Sequence, residues 1–318
     1  MAPPIPAPRE TGYTQTTAVP LYWAAYGVVG TPRLLVLHGG PGADHRYLLP
    51  QMLRLGERYD LLFYDQRGGG QSRSDARERV TWRTQVDDLA AVVRELAPAQ
   101  PTIVGYSWGG LLAMLYVAEA VADPSLRPPG RLVLIDPAAV TREYRAAFEA
   151  AFLRRGEREP IRRARADLAA SGLRERDPAA YRQRAFELSV AGYFADPEMA
   201  HQLTPFRVVE RVQRSVWESL DAYDLLPALA RARARLGIPA LVVHGREDPI
   251  PLASSRAAAD ALGAELVVLE GAGHVPFIER PEPLFAAIER FLMPLLPLAP
   301  EASSQSAPGT RAGSADHA

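Results

Sequence analysis

The chain has 318 residues, a formal net charge of −1 and 47% hydrophobic residues, which suits a globular enzyme with one large domain and room for an insertion. So small a charge gives no bulk electrostatic case for nucleic acid or for an anionic membrane. There is no cysteine and every basic side chain is arginine, which excludes disulfides, thiolate zinc sites, a cysteine nucleophile, a lysine Schiff base and a P-loop lysine.

Residues 1–15 are proline-rich and polar and read as a flexible N-terminal arm. MAPPIPAPRE lacks the basic and apolar regions of a secretory signal, so the cytoplasm is the expected location. No apolar run approaches the length of a membrane span. Short apolar runs follow at Arg33–Leu37, Asp60–Tyr64, Thr102–Gly105 and Arg131–Ile135, each bounded by Gly, Pro or charge. They predict strands buried on both faces, as in a parallel sheet. Between them, Val86, Leu89, Val93 and Leu96 recur at helical spacing within Thr81–Leu96. The alternation implies βαβ units and an α/β layer fold.

From 138 to 235 the chain turns charged and alanine-rich, with helix signals and few strand signals, which predicts an inserted helical cap. Strands resume at Pro239–His244 and Glu265–Leu269, followed by an amphipathic helix, Pro283–Leu292. The domain is therefore discontinuous, with core over 16–137 and 236–294. The Pro/Ser/Ala/Gly-rich stretch 295–318 is expected to be disordered.

One serine stands between a predicted strand and a predicted helix, in Gly105-Tyr106-Ser107-Trp108-Gly109. This fits G-x-S-x-G, a sharp strand-to-helix bend that needs glycine two residues either side of the serine. The hydroxyl then projects at a helix N-terminus, where N–H groups favour developing negative charge. Serine is a poor nucleophile without a base, and the base needs an orienting acid. In this strand–turn–helix setting the chain order is Ser, acid, His. Of the six histidines, His317 is in the tail, His38 and His45 precede the serine, His201 lies in the insertion and His244 ends an apolar run. His274, in the glycine-rich loop after the last strand, is the predicted base. The acid expected in the loop after a late strand is Asp248, with Asp136, one strand earlier, as the competitor. The oxyanion donors expected are the N–H groups of Trp108 and Gly40, with Gly39 as the fallback in His38-Gly39-Gly40-Pro41-Gly42.

With these residues in hand, the chain resembles the proline iminopeptidase-like branch of the α/β-hydrolases. The resemblance rests on HGGPG at 38–42, FYDQRGGGQS at 63–72 and the Ser-Trp-Gly elbow, and covers nearly all of the chain outside the two tails. It implies an α/β-hydrolase fold: a mostly parallel eight-stranded sheet with helices on both faces and a helical cap over the site. It implies serine hydrolysis through an acyl-enzyme, without metal or cofactor, on a small-molecule or short-peptide substrate. Asp65-Gln66-Arg67-Gly68 is expected to be a structural brace. Members that cleave N-terminal residues hold the free amine with acidic side chains around the cap, and Glu218 is the cap candidate here. A solvated helix carboxylate is the other reading of that residue. Trp217, Tyr193, Phe194 and Tyr223 would give the cap an apolar wall, or else pack its core. An aminopeptidase releasing N-terminal proline or small apolar residues is expected first. An esterase, lactonase or amidase on the same three residues is the alternative, and a non-catalytic ligand-binding fold the remote one.

Overall fold

A computed structural model describes residues 5–75, 77–97 and 100–293. Its strands are β1 (Glu10–Tyr13), β2 (Tyr22–Gly27), β3 (Arg33–Leu37), β4 (Asp60–Tyr64), β5 (Thr102–Tyr106), β6 (Arg131–Ile135), β7 (Ala240–Gly245) and β8 (Glu265–Leu269). They form one eight-stranded sheet in the order β1-β2-β4-β3-β5-β6-β7-β8. β1 and β2 run antiparallel to their neighbours, and every pairing from β4 to β8 is parallel.

The central strands alternate faces with a period of two. Leu35, Leu37, Ile103, Leu132, Leu134 and Val242 join one core, under α1 (Trp82–Leu96), α2 (Trp108–Ala122), α8 (Leu226–Leu236) and α9 (Leu252–Leu262). Leu34, Val36, Val104, Val133, Ile135 and Val243 join the other, which α11 (Pro281–Leu292) covers. Both faces are buried, which is why these strands read as continuous apolar runs. Thr81 caps α1 reciprocally with Thr84, an arrangement that contributes about 1 kcal/mol.

The insertion holds α3 (Arg142–Gly156), α4 (Glu159–Ala170), α5 (Leu173–Arg176), α6 (Pro178–Val190) and α7 (Glu210–Leu220). An isolated bridge between Thr141 and Asp224 closes its base. The sequence predicts the cap through 235, but α8 packs against α2 and α9 and joins the first core through Leu229 and Ala232. It is the crossover helix from β6 to β7, and its alternating Ala and Arg match the composition of the cap. α10 (Pro276–Glu279) is a single turn after the last loop.

The N-terminal arm also departs from expectation. Glu10–Tyr13 is a paired edge strand, and the Arg9 guanidinium bonds Asp60 at 2.8 Å. A polar tetrapeptide on a sheet edge buries too little to show an apolar run. Residues 1–4 and the expected tail, 295–318, lie outside the described residues. Among the described residues, no helix is long and apolar enough to cross a membrane.

Candidate active site

The bend at Ser107 is built from close backbone approaches. A Cβ on Gly105 would stand 2.6 Å from the Gly109 carbonyl oxygen, and one on Gly109 would stand 2.3 Å from the Leu37 oxygen. Ser107 itself sits at φ 53° and ψ −119°, outside the regions that L-residues adopt freely. The strain turns its hydroxyl out of the sheet, half-buried, at the first turn of α2.

Two loops at the carboxyl ends of β7 and β8 meet this hydroxyl. The His274 Nε2 lies 2.9 Å from Ser107 Oγ, and its Nδ1 lies 2.8 Å from Asp248 Oδ2. Asp248 Oδ1 accepts the Ile250 N–H at 2.7 Å, which fixes the carboxylate plane. Three residues separated by up to 167 positions thus form one hydrogen-bonded chain. The loops cross closely: a Cβ on Gly245 would stand 2.1 Å from the Gly273 oxygen. Burial pulls His274 down to about 4 and pushes Asp248 up to about 7. In an imidazole–carboxyl pair this tight, the titration belongs to the pair rather than to either group.

Asp136, the competing acid, ends β6 at φ 41° and is fully buried. It lies beside Asp248 rather than in its place: Asp248, not Asp136, takes the bond from His274 Nδ1. Its Oδ1 accepts the Gly245 N–H at 2.8 Å. Asp136, Asp248 and His274 also bring ligand atoms within 4.8 Å of one another. A metal there would have to break the bond between His274 and Asp248, so the donor set fits a proton-transfer chain better than a cation.

On the other side stands the His-Gly-Gly-Pro-Gly loop. The Gly39 N–H donates to the Tyr47 hydroxyl at 2.7 Å. Among the described residues, the N–H groups of Gly40 and Trp108 donate to no protein acceptor outside regular helix and strand bonds, and both residues line the cavity beside Ser107. Gly40 has φ +65°, a conformation in which glycine alone is unstrained. His38, fully buried, donates from Nδ1 to the Gly39 carbonyl at 2.9 Å and accepts the Gln66 N–H on Nε2 at 3.1 Å. The Gln66 side chain donates to the His38 carbonyl and accepts from Trp108 Nε1, both at 2.8 Å. The turn that carries Gln66 therefore braces the elbow and the glycine loop together. Asp65 takes His45 Nδ1 at 2.7 Å and the Gln71 N–H at 2.8 Å.

A cavity of about 590 Å³ opens above Ser107, between the strand ends and the inserted helices. Trp217 lines it, edge-on to Trp108 with ring centroids 5.1 Å apart. Tyr193 lines it too, stacked on the His274 imidazole at 5.1 Å, and its carbonyl accepts the His274 N–H at 2.7 Å. Glu218 is on the wall and exposed. Phe194 and Tyr223 are corrections to the expected apolar wall. Phe194 is fully buried in the second core, and Tyr223 packs in the first with its hydroxyl bonded to the Ala139 carbonyl at 2.8 Å. Neither borders the cavity.

Sequence reasoning missed the residues that only tertiary structure brings in. Tyr47, Tyr106 and Phe206 floor the cavity. Glu279 accepts the Gly273 and Ala195 N–H groups, each at 2.7 Å, and so ties the His274 loop to the insertion. A glutamate near an arginine and a proline carries no signal that would single it out. Arg142, Arg145 and Arg214 also face the cavity. Arg145 lies over the Trp217 ring at 4.1 Å and pairs with Glu149 at 2.8 Å, and Arg214 pairs with Glu210 at 2.6 Å.

Comparison with known proteins agrees with this architecture. A proline iminopeptidase of Lactobacillus helveticus (strain DPC 4571) is 37% identical over 106 residues, 31% of this chain and 36% of that protein. One of Saccharolobus solfataricus is 33% identical over 114 residues, 35% of this chain and 36% of that protein. These matches span about a third of the relatives' length. Among solved structures, a proline iminopeptidase-related protein of Thermus thermophilus superimposes with a TM-score of 0.67 at 22% identity, over 90% of this chain and 98% of that one. The enol-lactonase of Burkholderia xenovorans LB400 gives 0.61 at 23% identity, over 89% and 100%. At such identities the likeness is one of fold. The model of the alpha/beta hydrolase family matches residues 34–287, and the chain belongs to that family.

Proposed function

We propose that the protein is a serine hydrolase that works through an acyl-enzyme. The observation that carries this reading is the unbroken chain from Ser107 Oγ through His274 to Asp248, at 2.9 and 2.8 Å. In it, His274 Nε2 takes the hydroxyl proton as Ser107 Oγ attacks a carbonyl carbon. Asp248 holds the Nδ1–H tautomer and stabilises the imidazolium. The N–H groups of Gly40 and Trp108 receive the oxyanion, and each such donor contributes about 3 kcal/mol to the transition state. The tetrahedral intermediate collapses as His274 protonates the leaving group. Water then enters, loses a proton to His274 and releases the acid, returning the proton to Ser107.

The substrate we favour is a short peptide with a free N-terminal proline or small apolar residue. Likeness to proline iminopeptidases over a third of the chain supports it, as do the aromatic wall and the Glu218 carboxylate on the cavity rim. A second reading, hydrolysis of a small ester, lactone or amide with an anionic acyl part, draws support from Arg142, Arg145 and Arg214 on the same wall. Proline p-nitroanilide with its free amine and in N-blocked form, beside p-nitrophenyl acetate, separates them. Turnover of the free-amine anilide that drops in Glu218→Gln is expected. Ester turnover without anilide turnover, unchanged in Glu218→Gln, would overturn the peptidase reading and leave the ester reading.

A further inference from the structure

The proposed proton-transfer chain uses one carboxyl, yet two lie at its end. Asp136 is fully buried, and its Oδ2 faces no N–H or hydroxyl donor among the described residues. Its Oδ1 is already taken by the Gly245 N–H, and His244 Nδ1 stands 3.4 Å from the same oxygen. His244 cannot supply a proton there: its Nε2 donates to the Ile250 carbonyl at 3.1 Å, and its Nδ1 faces the Ser255 hydroxyl at 2.9 Å. The acid beside it is Asp248: one carboxyl oxygen of each lies within 4.8 Å of the other, and the interaction between them raises Asp136 and lowers Asp248, as a bond donated by Asp136 would. Two carboxylates in one dry pocket cannot both ionise, so the pair shares a proton.

We propose that Asp136 is a positioning residue, a buried carboxylic acid that keeps its proton at neutral pH and donates it as a hydrogen bond to Asp248. This rests on the nucleophile reading above and adds a fourth member to its chain. Asp248 then has three donors: His274 Nδ1, the Ile250 N–H and the Asp136 hydroxyl. Three donors make the ionised form of Asp248 tolerable in a site where burial opposes it. The backbone strain at Asp136 belongs with this role. Its φ of 41° is one of three positive values at non-glycine residues among those described, and Ser107 holds another. The bends follow the ends of β5 and β6, adjacent parallel strands, and so bring the hydroxyl and this carboxyl to the same edge of the sheet.

Burial and the carboxyl of Asp248 favour a proton on Asp136, while the His274 imidazole and the Gly245 N–H oppose it without reversing the direction. Burial, and then the charge of Asp248, raises its carboxyl well above the ordinary value. Burial keeps His244 neutral, at about 3. The Tyr106 phenol is raised well above its ordinary value by its own burial, so it stays neutral and adds no charge beside Asp136. Arg155 from α3 acts on Asp248 and His274 rather than on Asp136. Glu279 adds negative charge that raises Asp248, and the donors to Asp248 have to offset it.

The test compares Asp136→Asn, which keeps a donor toward Asp248, with Asp136→Leu, which removes it. The full chain is used, and near-ultraviolet circular dichroism reports folding. Two readouts are taken across pH: the rate at which a fluorophosphonate labels Ser107, and the infrared carbonyl band of a protonated carboxyl. In wild type the band is expected to persist at about pH 8, above the step near 7 at which Asp248 ionises, and to be largely lost there in Asp136→Asn. Asp136→Asn is expected to label within about threefold of wild type at neutral pH and to lose the alkaline fall that accompanies loss of that proton. Asp136→Leu is expected to label at least tenfold more slowly, with its acid limb moved to higher pH because Asp248 has lost a donor. Equal losses in Asn and Leu, or a band at about pH 8 unchanged by Asp136→Asn, would overturn the proposal. Should Asp136→Leu fail to fold, the Asn band and alkaline limb still decide it. Absence of labelling in wild type at every pH would sink the nucleophile reading instead, and the infrared band would still report on Asp136.

Discussion

The Gly39 N–H donates to the Tyr47 hydroxyl across 2.7 Å, and a Cβ on Gly39 would stand 2.7 Å from Ser107 Cβ. Gly39 therefore serves by its smallness, and its N–H is not available to an oxyanion. Gly39→Ala is expected to abolish fluorophosphonate labelling of Ser107, because the new methyl group fills the space in front of the hydroxyl. Tyr47→Phe keeps the ring but leaves the Gly39 N–H unpaired, so it should cost about 1–2 kcal/mol of stability and slow labelling several-fold. Thermal unfolding and labelling rate on the two purified variants check both. Full labelling of Gly39→Ala would mean that the loop stands farther from the serine.

Backbone strain at Ser107 makes a separate prediction. A residue with a Cβ at φ 53° costs about 1–3 kcal/mol that the surrounding fold must hold in place. Ser107→Ala removes the proposed nucleophile and keeps the strain, and Ser107→Gly removes both. Both variants are expected to be inactive. The Gly variant should be more stable than the Ala variant by about 1 kcal/mol, since relief of strain outweighs the extra freedom of glycine in the unfolded chain. Urea denaturation of the pair measures it, and equal midpoints would place the strain elsewhere.

The pH dependence follows from the Asp248–His274 pair. Burial lowers His274 and raises Asp248 to about 7, so between those values the pair holds one extra proton. The form competent to accept a proton from Ser107 has Asp248 ionised and His274 neutral. Labelling is therefore expected to rise with pH through about 7, where that extra proton leaves. In Asp248→Asn the proton would have to reside on the buried His274 alone, without a carboxylate to favour it. Its acid limb should move to lower pH while the rate falls by about 10⁴. A limb that stays in place in Asp248→Asn would assign it to another group.

How much of this was legible in the sequence depends on the kind of interaction. Strands buried on both faces are written as apolar runs, so β3 to β8 could be read to within one residue at each end. β1 could not, because ETGY is polar and pairs only at an edge. The elbow, His274 and Asp248 were visible because each loop has glycine or proline beside a lone polar residue after a strand, and the structure brings the three within hydrogen-bonding distance. Tyr47 and Glu279 were not singled out for roles at the site, and Gln66 was read only as part of a bracing turn, without its partners. Their work is to hold backbone groups of loops distant in sequence, and nothing local in the chain encodes it. The aromatic residues of the insertion divide for the same reason: Trp217 and Tyr193 face the cavity, Phe194 and Tyr223 face the cores, and composition alone treats them alike.

Arg67, in the same turn as Gln66, supports the last prediction. Its Nε and Nη2 bond both oxygens of Asp88 at 2.7 and 2.5 Å, and its Nη1 meets Glu78. Asp88 sits on α1, almost fully buried. Burial raises its carboxyl to about 6, and the bonds from Arg67 are the main effect opposing that rise. Removing the guanidinium leaves a buried carboxylate alone, so Arg67→Leu is expected to cost about 3–5 kcal/mol at neutral pH. The sign of its pH dependence follows from linkage. A carboxyl whose folded pKa exceeds its unfolded value binds more protons when folded, so stability falls as pH rises through the interval between the two. In wild type that interval closes near 6. Without Arg67 it extends upward, so the variant should keep losing stability above pH 6 where wild type levels off. Asp88→Leu added to Arg67→Leu should recover most of the loss, because both charges are then gone and the site packs as apolar. Urea denaturation of the single and double variants at pH 5, 7 and 8 tests this, and a single variant whose deficit is the same at all three would show that Asp88 remains solvated.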